Sequence, residues 1–329
     1  MDNNKFKQLI TLAKSKNFSG HMLIIDEDQT FEFCQGYEDL EKENLITAES
    51  IFPIASGTKF LTALAIGQLI DQKKITLDTY VKDVLDLNIK SYAPDIKIKH
   101  LLSHTSGIPD YLDERINDLS KINNLKLCKV NDYIKLFPHG DMEFKPGSKF
   151  TYNDGGFVYL ALIIEEVSKM SYQEYINHHL LKPLMIDRSG IFSTSSQHPH
   201  KVMGFINQDR TLTHIGHIPE MSGGDGGAYM NAYDFHQMIQ AFLKGQIISH
   251  SLVELFTTPQ IHVNEEENLY YGYGLWLKKC GQTYIPHVIG VDSGVRFKSM
   301  FTNQTFYYVV SNTNDDIWDI MNEIENIAC

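Results

Sequence analysis

The stretch Phe52–Ile70, FPIASGTKFLTALAIGQLI, sets a serine and a lysine three residues apart at the start of an apolar helical run. Residues at i and i+3 share a helix face, so Ser56 and Lys59 can meet if the helix begins at or just before the serine. A serine hydroxyl is a poor nucleophile near neutral pH and needs a neighbouring base. A lysine can supply or support one when burial and nearby charges set its pKa. The same spacing suits an N-cap serine followed by a solvated first-turn lysine, and Ser-x-x-Lys alone does not choose between the two. The surroundings have to decide.

The chain has 329 residues, 43% of them hydrophobic, enough for one large domain or two small ones with a buried core. Its formal net charge of -12 comes with no block of Lys and Arg, which argues against nucleic acid or an anionic membrane surface and for a small-molecule or peptide substrate. Cys34, Cys128, Cys280 and Cys329 are far apart and form no C-x-x-C, so reduced thiols are expected rather than a zinc knuckle or a disulfide framework. The first residues, MDNNKFKQLITLAKSKNFSG, lack the basic start, apolar core and cleavage site of a signal peptide. No stretch approaches the roughly 20 apolar residues that span a bilayer. As written the protein is expected in the cytoplasm, or outside it if an export segment has been removed. Its oligomeric state is left open.

Lys5 to Lys14 has helical apolar spacing, and GHMLIIDED and TFEFCQG read as two strands joined around Asp26 to Gln29. Thr58 to Lys73 is helical, and the middle of the chain is mostly helix and loop, with GFVYLALIIEEVSKM followed by a helix opened by Ser171 as N-cap. Near the end the period returns to two in YYGYGLWLKKC, TYIPHVIG, GVRFKSMFTN and TFYYVVSN, before an amphipathic helix over about Asp315 to Ile327. Strands at both chain ends with helices between them imply one sheet built from the two termini and an inserted helical region.

IFPIASGTKFLTALAIGQLIDQKKITLDTYVKDVL followed by IKIKHLLSHTSGIPDY resembles the nucleophile region of the serine β-lactamase and penicillin-binding-protein superfamily. The likeness is greatest to the branch of class C β-lactamases, D-alanyl-D-alanine carboxypeptidases, D-aminopeptidases and esterases, and it runs from about Phe18 to the VVSN near the C-terminus. The resemblance implies that Ser56 is acylated with Lys59 as its partner. KPGSKFTYNDGGFVYLALIIEEVS resembles the second element, Tyr-x-Asn, and implies a catalytic Tyr152 that takes the Ser56 proton and returns it to the leaving group. Asp154 stands where the family has asparagine. An ionised aspartate only accepts, so donation to a substrate carbonyl is lost, and the anion holds Lys59 as an ammonium. A substrate that presents an amine or hydroxyl there is expected, with inefficient acylation by β-lactams. The third element, Lys-Thr-Gly or His-x-Gly, is best matched by YIPHVIGVDSGVRFKSMF, which makes His287 a substrate-binding candidate and the Gly290 amide an oxyanion donor beside that of Ser56. A one-residue slip in this strand would move the donor to another residue.

His198, His200, His214 and His217 lack the carboxylate partners and spacing of a metal site. SGGDGGAYMNAYDFHQMIQAFL resembles the family's glycine-rich turn, with Gly226 and Gly227 giving backbone room, and it has no phosphate-loop lysine. The expected fold is α+β, β-lactamase/transpeptidase-like: an antiparallel sheet flanked by terminal helices (residues 1–60 and 270–329) with a mainly helical subdomain (61–269). The expected function is a serine hydrolase that cleaves a D-amino-acid peptide, a β-lactam or a small ester through an acyl-enzyme on Ser56, with no metal or organic cofactor. A non-catalytic relative that binds a peptide or cell-wall-like ligand is the alternative.

Overall fold

The fold is described from a computed structural model covering all residues except 28, 42, 87–94, 114–125, 139–140, 315–316 and 329. The chain opens with helix α1 (Asn3–Ser15), capped by the Asp2 carboxylate, which accepts from the amides of Asn4 and Lys5. Strands β1 (Gly20–Asp26) and β2 (Gln29–Gln35) follow as the hairpin that the alternation predicts. Two further short strands, β3 (Phe52–Pro53) and β4 (Gly190–Ile191), flank β5 (Ala228–Met230) in a small sheet of their own. The C-terminal block holds β6 (Ile261–Asn264), β7 (Leu269–Tyr271), β8 (Trp276–Cys280), β9 (Thr283–Asp292), β10 (Val295–Phe301) and β11 (Thr305–Ser311). It joins the N-terminal hairpin in an eight-stranded sheet of order β2-β1-β11-β10-β9-β8-β7-β6, antiparallel throughout.

The sheet is covered on both faces, which is why its central strands lack a polar side. Met22 and Ile24 of β1, Met300 of β10 and Val309 of β11 pack with Phe6 and Leu9 of α1 and with Ile320, Met321 and Ile324 of the last helix (Trp318–Ala328). The alternate residues Leu23, Phe297, Tyr308 and Val310 join the larger core on the other face. That core surrounds helix α2 (Thr58–Asp71), in which every residue from Thr58 to Gly67 is buried. A helix apolar all round belongs in an interior, and its N-terminal end is therefore fixed on every side. Helix α3 (Asp154–Ser168) crosses it, and Ser171 caps the next turn in a capping box with Glu174, as expected.

Three expectations change. The sheet's C-terminal block begins at Ile261, ahead of residue 270, because β6 and β7 are short and only partly buried and show little alternation. The small β3-β5-β4 sheet is new; strands of two and three residues are too short for a period to register. Cys34 and Cys128 are free, but Cys280 is disulfide-bonded, so the expectation of reduced thiols fails there; Cys329 lies outside the described residues. Sequence spacing carries no record of which distant thiols fold together. Among the described residues no helix is long and apolar enough to cross a membrane.

Candidate active site

Ser56 sits in a tight turn, Ala55–Gly57, that runs straight into α2. It is the only residue from Ile51 to Phe60 that is not buried. Ala55 has φ of 47°, a left-handed conformation uncommon outside glycine, and such local strain concentrates where a side chain must be presented at a site. The turn is tied down by Ile54 N to Ala228 O (3.0 Å) and Gly57 N to Ile54 O (2.8 Å).

One helical turn on, Lys59 is 2% exposed. Its Nζ donates to Ser56 Oγ at 3.0 Å, to Asp154 Oδ1 at 2.5 Å and to the Asp225 carbonyl at 2.8 Å. Three acceptors match the three protons of an ammonium. Burial opposes that charge, but Asp154, Tyr152 and Asp225 outweigh it and hold the Lys59 pKa well above the usual lysine value. The solvated-lysine reading is thereby excluded.

The Tyr152 ring lies 5.0 Å from Lys59 Nζ, between the His104 ring at 4.3 Å and the Trp276 ring, stacked at 5.8 Å and 7°. Burial raises its pKa, Lys59 pulls it down, Asp154 pushes it up, and hydrogen bonds with Ser56 and Lys59 lower it; the net direction is upward. His104 accepts from the Asn153 amide through Nδ1 (3.1 Å), which leaves Nε2 to carry the proton toward the Tyr271 hydroxyl (3.2 Å). Burial and Lys59 hold that imidazole neutral.

The third element needs a correction. β9 and β10 are joined by Ser293-Gly294, with Asp292 opposite Val295. A two-residue connection makes its flanking pair exchange ladder hydrogen bonds, and bonded and non-bonded pairs alternate from there. Gly290, opposite Phe297, is therefore a bonded position whose amide faces β10. Val291, opposite Arg296, directs its N–H the other way, to the edge that lies open beyond the end of β8 at Trp276, where it lines the cleft with Ser56. Gly290 has a different task. A Cβ there would lie 2.0 Å from the Ile54 carbonyl and 3.0 Å from the Gly57 amide, so only glycine lets β9 close on the nucleophile's turn. His287 is on the opposite face with Ile285, fully buried, its Nδ1 3.6 Å from Glu325 Oε1 on the last helix. It does not line the cleft.

The cleft over Ser56 has a volume of about 410 Å³ and is walled by Tyr111, Tyr133, Tyr152, Trp276, Ile289, Val291 and Asp292. Asp154, Asp225 and Asp292 line it, and no Lys or Arg does among the described residues. Burial pushes the Asp292 carboxyl up to about 6, with Asp225 and Asp154 adding to the rise. Among the described residues, His21, Glu32 and Cys34 on β1 and β2 form the one His, Cys and carboxylate group compact enough for a metal; there His21 Nε2 is bonded to Glu32 at 2.9 Å, and none of the three lines the cleft. His217 lines the cleft, while His214 is buried against Tyr229 and the Gly204 backbone.

Residues 11–326 match the Beta-lactamase family. The chain belongs to that family. A penicillin-binding protein from Bacillus halodurans has a similar structure over 99% of this chain and 100% of its own, with a TM-score of 0.89 and 31% identity. A D-stereospecific amidohydrolase from Streptomyces sp. shares the fold at a TM-score of 0.80 and 19% identity, covering 98% of each chain. Protein flp of Staphylococcus aureus (strain MW2) is 30% identical over 220 residues, which are 64% of this chain and only 43% of that protein. This Beta-lactamase family member thus shares its fold with a penicillin-binding protein along nearly its whole length.

Of the site residues predicted from sequence, Ser56, Lys59, Tyr152 and Asp154 converge, Gly290 supports the nucleophile's turn, and His287 is elsewhere. Residues not singled out are Asp225, which directly precedes the two glycines read as backbone room, and His104, Asp110 and Tyr111 of SHTSGIPDY. That segment resembles the family as a block, and no local signal marks which of its side chains turn inward.

Proposed function

We propose that this protein is a serine hydrolase that cleaves an amide or ester through an acyl-enzyme on Ser56. The observation that carries the reading is the Lys59 ammonium, which holds Ser56 Oγ at 3.0 Å while paired with Asp154 and lying against the Tyr152 ring. Tyr152 as phenolate takes the proton from Ser56 Oγ, and the oxygen attacks the substrate carbonyl carbon. The amides of Ser56 and Val291 receive the oxyanion. The tetrahedral centre collapses, the bond to the leaving group breaks, and Tyr152 gives the proton to the departing nitrogen or oxygen. Water, deprotonated by Tyr152, bonds to the acyl carbon; the bond to Ser56 Oγ breaks, Tyr152 returns the proton to Oγ, and the acid leaves.

The charge of the cleft favours an acyl donor carrying an amine. Three aspartates line it, and the nearest cation, Lys59, is already neutralised by Asp154. A substrate carboxylate would be repelled, whereas a D-amino-acid amide or ester with a free amine would be accommodated. The experiment is intact mass after reaction with a fluorophosphonate, on wild type and on Ser56→Ala. A serine-dependent adduct is expected, and p-nitrophenyl esters set against D-amino-acid p-nitroanilides then separate esterase from amidase. The second reading, a binding protein for peptide or cell-wall-like ligands, is favoured by the 2.5 Å Lys59–Asp154 pair, which makes the resting site less basic than one with asparagine. Folded wild type that takes up no adduct would select it.

A further inference from the structure

We infer that Asp110 is a positioning residue of the acyl-transfer site: its carboxylate holds the Tyr152-Asn153-Asp154 turn in register with Ser56 and Lys59 by capping α3. The inference rests on the acyl-enzyme reading above for its kinetic consequences, but not for its geometry. Asp110 Oδ2 accepts from the Asp154 amide at 2.8 Å and Oδ1 from the Gly155 amide at 3.0 Å. The Gly156 amide is taken by Asn153 Oδ1 at 2.7 Å, so the first three amides of α3 are all engaged, two of them by a residue 44 and 45 positions away in sequence. A bidentate ionised acceptor at the positive end of a helix is the strongest form such a cap takes.

The same short segment grips the site at two more points. The Ile108 carbonyl accepts from Asn153 Nδ2 at 2.7 Å. The Tyr111 hydroxyl donates to Asp225 Oδ2 at 2.5 Å, and the Asp225 carbonyl is one of the three Lys59 acceptors. Gly107, at φ 77°, sets the segment's path; a Cβ there would lie 2.2 Å from the Phe144 carbonyl. Residues 108–111 therefore fix both the wall that carries Tyr152 and the loop that carries a Lys59 acceptor. Asp110 itself does not line the cleft, so it acts through these groups and not on substrate.

Its carboxyl is also placed to make the site sensitive to pH. Burial, with the neighbouring Asp154 charge, pushes it up to about 7. Above that value both oxygens accept as a carboxylate, Oδ1 also from the Leu112 amide at 3.3 Å; below it one oxygen carries a proton and holds its amide more weakly. Among the described residues the charge that acts on it directly is Asp154 on α3; Lys59 on α2 is paired with Asp154, and Asp225 on the loop side is bonded by the neighbouring Tyr111.

The test uses Asp110→Asn and Asp110→Glu in the full chain, with two readouts. The first is hydrogen exchange at the Asp154 and Gly155 amides, which needs no activity. Faster exchange in Asp110→Asn, and in wild type taken below the Asp110 titration, is expected. The second is the rate of Ser56 labelling by a fluorophosphonate as a function of pH. Wild type should show a rise through about pH 7. Asp110→Asn should lose that step and label about tenfold to a hundredfold more slowly above it, with Asp110→Glu recovering part of both. Thermal unfolding confirms that the variants are folded; should Asp110→Asn fail to fold, wild-type exchange across the titration and Asp110→Glu decide. Unchanged exchange at both amides overturns the inference, as does an Asp110→Asn variant that labels at the wild-type rate with the pH step intact. Absence of any Ser56 adduct on wild type sinks only the hydrolase reading, and amide exchange then decides the positioning role alone.

Discussion

Lys59 Nζ and Asp154 Oδ1 lie 2.5 Å apart, and this ion pair is the point at which the chain departs from the family's Tyr-x-Asn arrangement. An asparagine there leaves the lysine charge to act on the tyrosine; an aspartate satisfies that charge first and adds an anion beside the phenol. Asp154→Asn should therefore lower the Tyr152 pKa and restore an amide donor toward a substrate carbonyl. One pKa unit corresponds to about tenfold in phenolate at a pH below its pKa. The expected outcome is at least that gain in the second-order rate of acylation by a fluorescent penicillin, with the alkaline rise moved to lower pH. An unchanged rate would show that the pair does not limit the base.

The pair also matters for stability. Lys59 is 2% exposed and Asp154 17%, so removing the cation leaves a largely buried carboxylate beside the Asp225 carbonyl with no donor. Loss of one partner of a buried pair costs about 3–5 kcal/mol, whereas removing both can be close to neutral. Lys59→Met should lower the denaturant midpoint sharply, and Lys59→Met with Asp154→Leu should regain most of it. Additive losses in that cycle would contradict strong coupling between the two.

His287 separates sequence reading from structure. Its ring is buried beside Glu325, away from the cleft, and burial with Lys298 and Lys278 nearby keeps its pKa well below the usual value. His287→Gln is expected to leave the Ser56 labelling rate within about twofold of wild type while lowering thermal stability by about 1–3 kcal/mol, the cost of disturbing a buried polar group. A tenfold loss of labelling in a fully folded variant would return this residue to the site.

The sheet's composition from both chain ends was legible because strands follow a period of two; the i to i+3 spacing made the Ser56–Lys59 contact possible, and the resemblance of its surroundings chose it over a solvated lysine. Tyr152 was legible through a motif carried by a resemblance, and the structure adds the stacking on His104 and Trp276 that aims it. The third element was not, because what faces the cleft there is a backbone N–H, and its direction depends on ladder parity counted back from Ser293-Gly294. A motif alignment centred on His287 cannot register that parity. Asp110, Tyr111 and Asp225 were missed for a related reason: their bonds join segments 44 to 114 residues apart, and nothing in the neighbourhood of each residue distinguishes an inward carboxylate from a solvated one.

Ladder parity can be tested directly. Val291 lies on an extended strand with its N–H off the β10 ladder, so proline there removes a donor without removing a sheet hydrogen bond. The preceding Gly290 is already extended, as a residue before proline should be. Val291→Pro should stay folded and lose about a hundredfold to a thousandfold in acylation, the effect of deleting one oxyanion donor. Gly290→Ala should fail differently: the added methyl meets the Ile54 carbonyl at 2.0 Å, so the turn of Ser56 must move and stability should fall by about 1–3 kcal/mol together with labelling. If Val291→Pro labels at the wild-type rate, the oxyanion donor lies elsewhere, and the alternation counted from the Asp292–Val295 pair does not extend to the reacting centre.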